Sequence, residues 1–466
     1  MSKILEVRNP MNGELVGSLP LSGGAEIEAM IRKAAEAKIL WANTPLYKRA
    51  EIIYKYCELV TQHTEDIART LSLEMGKPIA QSRDEVSGTA RLARGFVERA
   101  SHLYGQQIPT GNQPGSENDV IFTMREPLGV MVCVIPFNYP VDLFTHKVAP
   151  ALIMGNAVIV KAPSIAPLAI FKLEELFRQA GLPEGVCQFM VCTQEDSSKY
   201  LMSSPEVSAV SLTGGTRAGI EISKIGAETL KRIFLELGGN DANIILEDVK
   251  LDEVMDYIVF CRMLNNGQIC CSNKRFIIHR SLQKEFVERL TAKVNALKFG
   301  DSLDEAADLT CVASEKAAIE VERQIRMTVE QGAKLATGGE RERATIRPAV
   351  LWDVTAEMDV AADMEIFGPA FPVIPFDTEE EAIAIANRSS FGLSSGILTH
   401  DLKRALRMAP KIQAGSVVLN GCSSYRHMDQ AFGGYKMSGI GREGISATLE
   451  EYSQVKNYIV QGVFDN

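Results

Sequence analysis

The 466-residue sequence has no apolar run approaching the roughly 18 residues that cross a bilayer as a helix. Its longest candidates, such as Leu128 to Pro136, are strand-sized, which speaks against a helical membrane span. Long blocks of one charge are missing as well. The 49 Lys and Arg are interspersed with 59 Asp and Glu for a net charge of −10, a balance that argues against a nucleic-acid-binding face or an anchor on anionic lipid. The opening "MSKILEVRNP" lacks the apolar core and small-residue site of an export signal. With only six histidines and no C-x-x-C, no structural metal site is expected. Nine cysteines, at 57, 133, 187, 192, 261, 270, 271, 311 and 422, are odd in number and scattered. They read as reduced thiols in a cytoplasmic protein. Internal repeats and low-complexity tracts are absent too.

What is present is ample apolar material, 46% of the residues, enough for two or three domains. The first hundred residues read as helices, with apolar residues at helical spacing over Ala25 to Leu40 and again over Lys48 to Leu73. "EMGKP" at Glu74 to Pro78 is a stop-and-restart turn. From Gly129 the texture changes. "GVMVCVIP", "NAVIVKAP", "GVCQFMV" and "VSAVSLTG" are short, nearly unbroken Val- and Ile-rich runs. Helical stretches separate them at Val141 to Ile153, Ala166 to Ala180 and Ser197 to Ser203. This alternation predicts an α/β fold with a parallel sheet covered on both faces. After "RIFLELGGN" a second α/β series begins with "ANIIL", a helix from Leu251 to Leu264, "KRFIIH" and a helix from Ser281 to Leu297. "NDVIFTMREP" and the C-terminal "EEYSQVKNYIV" read as strands set apart for assembly.

Ligands of an open parallel sheet bind at the carboxyl ends of its strands, and each apolar run here ends in an unusual polar or glycine-rich stretch. Asn138 lies between two prolines in Pro136-Phe137-Asn138-Tyr139-Pro140, so its carboxamide is aimed. It can serve as a turn residue or as a donor to an oxyanion. Lys161 and Ser164 follow the next run, where Lys161 is either a surface cation or a ligand for ribose or phosphate. "LTGGTRAG" brings Gly214, Gly215, Thr216 and Gly219 to a helix start that suits a pyrophosphate, although its spacing is G-x-x-x-x-G. Glu236 ends an apolar strand, where desolvation would raise its pKa as a general base requires; a salt-bridged strand-end Glu is the other reading. In "NNGQICCSN" the adjacent Cys270 and Cys271 allow four readings: a strained disulfide, a metal fragment, two inert hydrophobes, or a nucleophile with a bystander. Glu365 and Phe367 lie in "EIFGP", and "FGGYKMSGIGREG" from Phe432 is another glycine-rich loop.

Taken in order, "PFNYP", "KAPS", "LTGGTRAG", "ELGGN", "NNGQIC", "EIFGP", "LNG" and "FGGYKMSGIGREG" resemble the aldehyde dehydrogenase superfamily over essentially the whole chain. The resemblance implies a Rossmann-type cofactor domain (1–117 and 129–236), an α/β catalytic domain (237–440), and a small β oligomerisation element (118–128 and 441–466). It makes Cys270 the nucleophile, because the family pattern places the reactive Cys two positions after Gln268. Attack on the aldehyde would form a thiohemiacetal held by the Asn138 side chain and the Cys270 N–H. Loss of hydride to the nicotinamide would give a thioester, and Glu236 would activate the hydrolytic water. Lys147 resembles a family lysine near this centre. Pro136, Lys161, Ser164, Gly214, Gly215, Thr216, Gly219, Leu237, Glu365 and Phe367 are the expected cofactor residues. Members preferring NAD often carry Glu where this chain has Ser164, so NADP is expected to be accepted and slightly favoured over NAD, with Arg217 adding positive charge nearby.

Tyr139, Asp142, Leu143, His146, Ile269, Cys271 and Phe432 are the expected substrate residues. Asp142 and His146 favour a small, polar aldehyde or semialdehyde, and Arg426 and His427 offer a cation. "PFNYP", "HK" and "GREG" are similar to the lactaldehyde and non-phosphorylating glyceraldehyde-3-phosphate branches. Leu264 stands where the succinate semialdehyde branch commonly has Arg. Three rival readings stay open: a coenzyme-A-acylating dehydrogenase, which generally lacks the glutamate; a non-redox thiol hydrolase, which leaves the glycine turn unused; and a non-catalytic relative. Homodimers or homotetramers are expected, with the two isolated strands pairing across subunits.

Overall fold

The computed structural model describes residues 3–464, so residues 1–2 and 465–466 of the segments assigned above lie outside it. The run beginning at Gly129 supplies a parallel sheet. Its five long strands lie side by side as Cys187–Met190, Ala157–Lys161, Val130–Val134, Val207–Thr213 and Arg232–Glu236. Numbered along the chain, that order is 3-2-1-4-5, which reverses between the first and fourth strands and leaves a crevice at their carboxyl ends. Strand alternation feeds two cores. Met131 and Cys133 point to one with Val158 and Val160, while Val130 and Val132 point to the other with Ala157 and Ile159. Each fully buried Val there contributes about 1.5–3 kcal/mol. The helices Leu46–Gln62, Ile79–Ala100, Pro140–Ile153 and Leu168–Ala180 cover the first face. Gly24–Asn43 and Thr216–Ala227 cover the second.

The second α/β series forms a seven-stranded sheet. Its order is Lys334–Thr337, Ala349–Trp352, Ala370–Phe376, Asn273–His279, Asp241–Ile245, Ser394–Leu398 and Ser416–Leu419, with only the first strand antiparallel. It is likewise buried on both faces, with Ile244 and Ile277 on one side and Ile245, Phe276 and Ile278 on the other. The carboxyl end of Arg232–Glu236 runs directly into this sheet through Leu237 to Asn240, which brings the catalytic candidates of both halves together. Among the described residues no helix is long and apolar enough to cross a membrane.

Several readings are corrected. The N-terminus is not all helical: Ile4–Arg8 and Leu15–Pro20 pair as an antiparallel hairpin around Asn9 to Gly13. The stretch from Lys48 to Leu73 is two helices, broken at His63. Val120–Pro127 and Ser453–Val460 do not wait for a second subunit. They pair with each other over eight residues in continuous register, because this chain already supplies a matched antiparallel partner. The segment from 441 onward is not strand throughout, since Ile445–Glu451 is a helix packed into the first core.

Candidate active site

Two parts of the N-terminal helices reach in to hold the loops that succeed the strands. Glu74 accepts hydrogen bonds from the N–H groups of Leu168 and Ala169, at 2.6 and 2.9 Å, and so caps the helix Leu168–Ala180. Glu85 does the same for Pro140–Ile153, accepting from Val141 and Asp142 at 2.8 and 3.2 Å. Lys77 forms a wholly buried ion pair with Glu85, donates to the Asn138 carbonyl at 2.8 Å, and sits 3.6 Å above the Tyr139 ring. The proline-flanked Asn138 is thus clamped from below. Its Nδ2 donates to the Gln268 carbonyl at 3.0 Å, which uses one of two amide hydrogens and leaves the other for a ligand.

The "NNGQ" run now has a physical explanation. Asn265, Asn266 and Gly267 take φ values of 51°, 53° and 81°, three left-handed residues in succession. A Cβ on Gly267 would come within 2.4 Å of the Gly368 carbonyl oxygen, so glycine is needed for space as well as for conformation. The fully buried Arg262 donates to the carbonyls of Gly267, Ile366, Gly368 and Ala370 at 3.0, 2.9, 2.6 and 2.8 Å. The Gln268 side chain spans Asn265 and Ala313 at 3.0 Å each. These bonds hold the turn that presents Cys270, which is half-buried, while Cys271 is buried and all nine cysteines are free. The disulfide reading of the pair is thereby overturned. No group of three or more metal-ligating side chains is found among the described residues. A hydrogen bond between the two thiols eases the first ionisation of the pair and pushes the second up, and Lys274 and Arg426 favour the anion.

Glu236 is buried, and its Oε2 has no hydrogen-bond partner. Desolvation drives its carboxyl well above the ordinary range, Glu443 adds repulsion, and Lys147 and Arg426 pull it back. Lys147 donates to Glu443 Oε1 at 2.6 Å, and Arg426 pairs with Glu443 Oε2 at 2.8 Å. Glu443 therefore stays ionised, its pKa held below the ordinary range because these two cations outweigh its burial. Sequence reasoning missed its role, although it lies in the noted "GREG".

Cys270 lines a cavity of about 400 Å³ at the crevice between the first and fourth strands. Pro136, Asn138, Gly214, Gly215, Leu237, Glu365 and Phe367 line it as well. A second cavity of about 290 Å³ shares Val134 and Leu212 with it and is lined by Lys161 and Ser164. Together the two run from Cys270 to Lys161 and Ser164. The helix Thr216–Ala227 starts between them with Gly215 at its N-cap and no side chain capping it, and Thr213 Oγ1 is buried beside it without a partner. These groups fit a pyrophosphate and its riboses. Thr216 and Gly219 are not in the lining. Gly219 instead lets the helix approach the sheet, since a Cβ there would meet Leu237 at 2.9 Å. Arg217 is exposed.

Lys274 was not anticipated. Its ammonium is buried, pairs with Glu365 at 3.1 Å and donates to the Cys270 carbonyl, which joins the ribose candidate to the nucleophile turn. Lys274→Met leaves Glu365 uncompensated. It is expected to raise the cofactor KM roughly tenfold or more and to shift alkylation of Cys270 by iodoacetamide to higher pH; rescue by Lys274→Arg checks that the charge is what matters.

Ile269, Cys271 and Phe432 form a small apolar cluster against which Tyr139 and Cys270 pack. Tyr139, Asp142 and His146 line a further cavity of about 310 Å³ together with Arg426. Leu143 is buried and is not in its lining.

The sequence profile described as "Aldehyde dehydrogenase family" matches residues 1–458. Lactaldehyde dehydrogenase of Methanococcus aeolicus is 33% identical over 98% of this chain and 97% of its own length. The succinate-semialdehyde dehydrogenase (NADP(+)) of Escherichia coli is 33% identical over 97% of this chain and 93% of its own length. The crystal structure of glyceraldehyde-3-phosphate dehydrogenase from Methanocaldococcus jannaschii, complexed with NADP, superposes with a TM-score of 0.93 at 31% identity, covering 99% of each chain. A thiol lining the crevice at the strand ends is what an NAD(P)-dependent oxidation of an aldehyde needs, and with a likeness this long the chain belongs to the aldehyde dehydrogenase family.

Proposed function

We propose that this enzyme takes a small polar aldehyde to the free acid through an acyl group carried on Cys270, with NADP preferred to NAD. The observation that carries the reading is that Cys270 and Asn138 share one cavity with the glycine turn and Glu365. The Cys270 thiolate attacks the carbonyl carbon, and the resulting oxyanion accepts a hydrogen bond from the unused Asn138 N–H. When bound, the nicotinamide supplies the hydride acceptor. Glu365 and Phe367 hold its ribose end, and Phe137 braces Phe367 edge-on at 6.1 Å. The Glu236 carboxylate then takes a proton from water, whose oxygen attacks the acyl carbon as the C–S bond breaks and the thiolate returns. Lys147 and Glu443 set the field in which Glu236 does this. Mixing enzyme, 2-hydroxypropanal and NADP, without coenzyme A, should give reduced nicotinamide and free acid in equal amounts; neither product appearing refutes the reading.

Ser164 supports the cofactor preference, because a hydroxyl donates to a 2′-phosphate where a carboxylate would repel it. Ser164→Glu is expected to lower kcat/KM with NADP by roughly a hundredfold while sparing NAD, as like charges brought together would. Comparing both cofactors in both proteins checks this.

The two doubly covered sheets serve as cofactor and catalytic domains in this reading, and the small sheet of Gln107–Ile108, Val120–Pro127 and Ser453–Val460 serves assembly. Ser453–Val460 lies at the edge of that small sheet, with Val455, Ile459 and Val460 exposed. Such an edge suits a homodimer or homotetramer. The nine unpaired thiols suit a reducing cytoplasm.

A further inference from the structure

Consecutive residues of one loop line two cavities: Phe137 and Asn138 face the cofactor crevice, and Tyr139 faces the 310 Å³ cavity beside it. The charges around this second cavity do not favour an anion. Three carboxylates line it, from Asp84, Glu85 and Asp142, against two guanidiniums, from Arg91 and Arg426. Arg426 is already paired with Glu443 at 2.8 Å and stacked 4.4 Å over the Phe432 ring. Glu85 is spent on Lys77 and on the helix cap.

Asp142 and His146 are different. They lie one helical turn apart, and Asp142 Oδ2 stands 3.9 Å from His146 Nε2, too far for a direct hydrogen bond and well spaced for an oxygen between them. Burial, with repulsion from Arg426, pushes the imidazole down to about 4, so it is neutral at physiological pH. His146 Nδ1 is buried and has no partner. A proton there would be an unsatisfied donor, which leaves it on Nε2, the nitrogen facing Asp142. One carboxylate acceptor and one N–H donor thus converge on a single point.

We propose that Asp142 and His146 form a hydroxyl-binding subsite, and that the preferred substrates are short, uncharged hydroxyaldehydes. The substrate O–H donates to Asp142 Oδ2, and its oxygen accepts from His146 Nε2–H. The proposal rests on the aldehyde oxidation described above and names its substrate class.

The test measures kcat/KM with NADP for 2-hydroxypropanal, 3-hydroxypropanal, propanal and the anionic 4-oxobutanoate. At least one hydroxyaldehyde is expected to exceed propanal by roughly a hundredfold, since a site built to bond a hydroxyl rejects the analogue lacking it. Asp142→Ala and His146→Phe are expected to bring that ratio close to one. The ratio is insensitive to the fraction of protein correctly folded. A higher kcat/KM for 4-oxobutanoate, lost in Arg426→Met, would overturn the proposal, as would a ratio unaltered in both variants. Should all four aldehydes fail, the oxidation itself is wrong, whereas propanal turned over as well as its hydroxylated analogues sinks the subsite alone.

Discussion

Cys270→Ser is expected to abolish turnover, by roughly 10⁴-fold or more, because a hydroxyl ionises far less readily than a thiol and is a far poorer nucleophile. Serine is close in shape, and the turn that carries it is held by the bonds of Arg262, Gln268 and Asn266, none of which involves the sulfur. The variant should therefore fold and bind cofactor normally. Two measurements check the outcome: reduced nicotinamide formed in the steady state, and the mass of the protein after mixing with aldehyde and cofactor. An acyl adduct is expected only when Cys270 is present. Full activity in the variant would remove the nucleophile and with it the reaction sequence.

Glu236→Gln is expected to separate the two halves of the reaction. Acylation of Cys270 proceeds, but no carboxylate takes the proton from water, so the thioester accumulates. Steady-state turnover should fall by roughly 10²–10⁴-fold, preceded by a burst of one reduced nicotinamide per site. The pH dependence has a definite sign. The Glu236 pKa lies well above the ordinary carboxylate range, through burial first and Glu443 second, and only the ionised form acts as a base. Deacylation should rise with pH through that raised pKa and level off above it. In the glutamine variant the step should vanish, while a step that survives would belong to another group.

Much of the architecture was legible from residue patterns. Unbroken Val- and Ile-rich runs can only be buried on both faces, so a covered parallel sheet followed, and its ligand edge with it. Glu236, Asn138 and Cys270 stood out for their local settings: Glu236 ends an apolar strand, Asn138 sits between prolines after one, and Cys270 follows an Asn-Asn-Gly-Gln run. The N-terminal hairpin was less legible, since Ile4–Arg8 and Leu15–Pro20 are short and half exposed, and the amphipathic helix Gly24–Asn43 dominates the pattern of that region. The pairing of Val120–Pro127 with Ser453–Val460 joins segments more than 300 residues apart, and two strand patterns do not say whether they meet in one chain or in two.

By itself the sequence determined the two covered sheets and the order of the loops at their carboxyl ends; the choice of Cys270 over Cys271 came from the family pattern. The sheets and loops live in local pattern: strand hydrophobicity, and the glycine-rich or proline-flanked stretches that follow each strand. Only the tertiary structure decided what holds and charges these groups. Lys77 lies under Asn138, Lys274 between Glu365 and the Cys270 turn, and Glu443 between Lys147 and Arg426. Lys274 and Glu443 are buried ions whose partners Glu365 and Lys147 are distant along the chain, and burying such a charge is tolerable only where folding delivers the opposite one to within hydrogen-bonding distance.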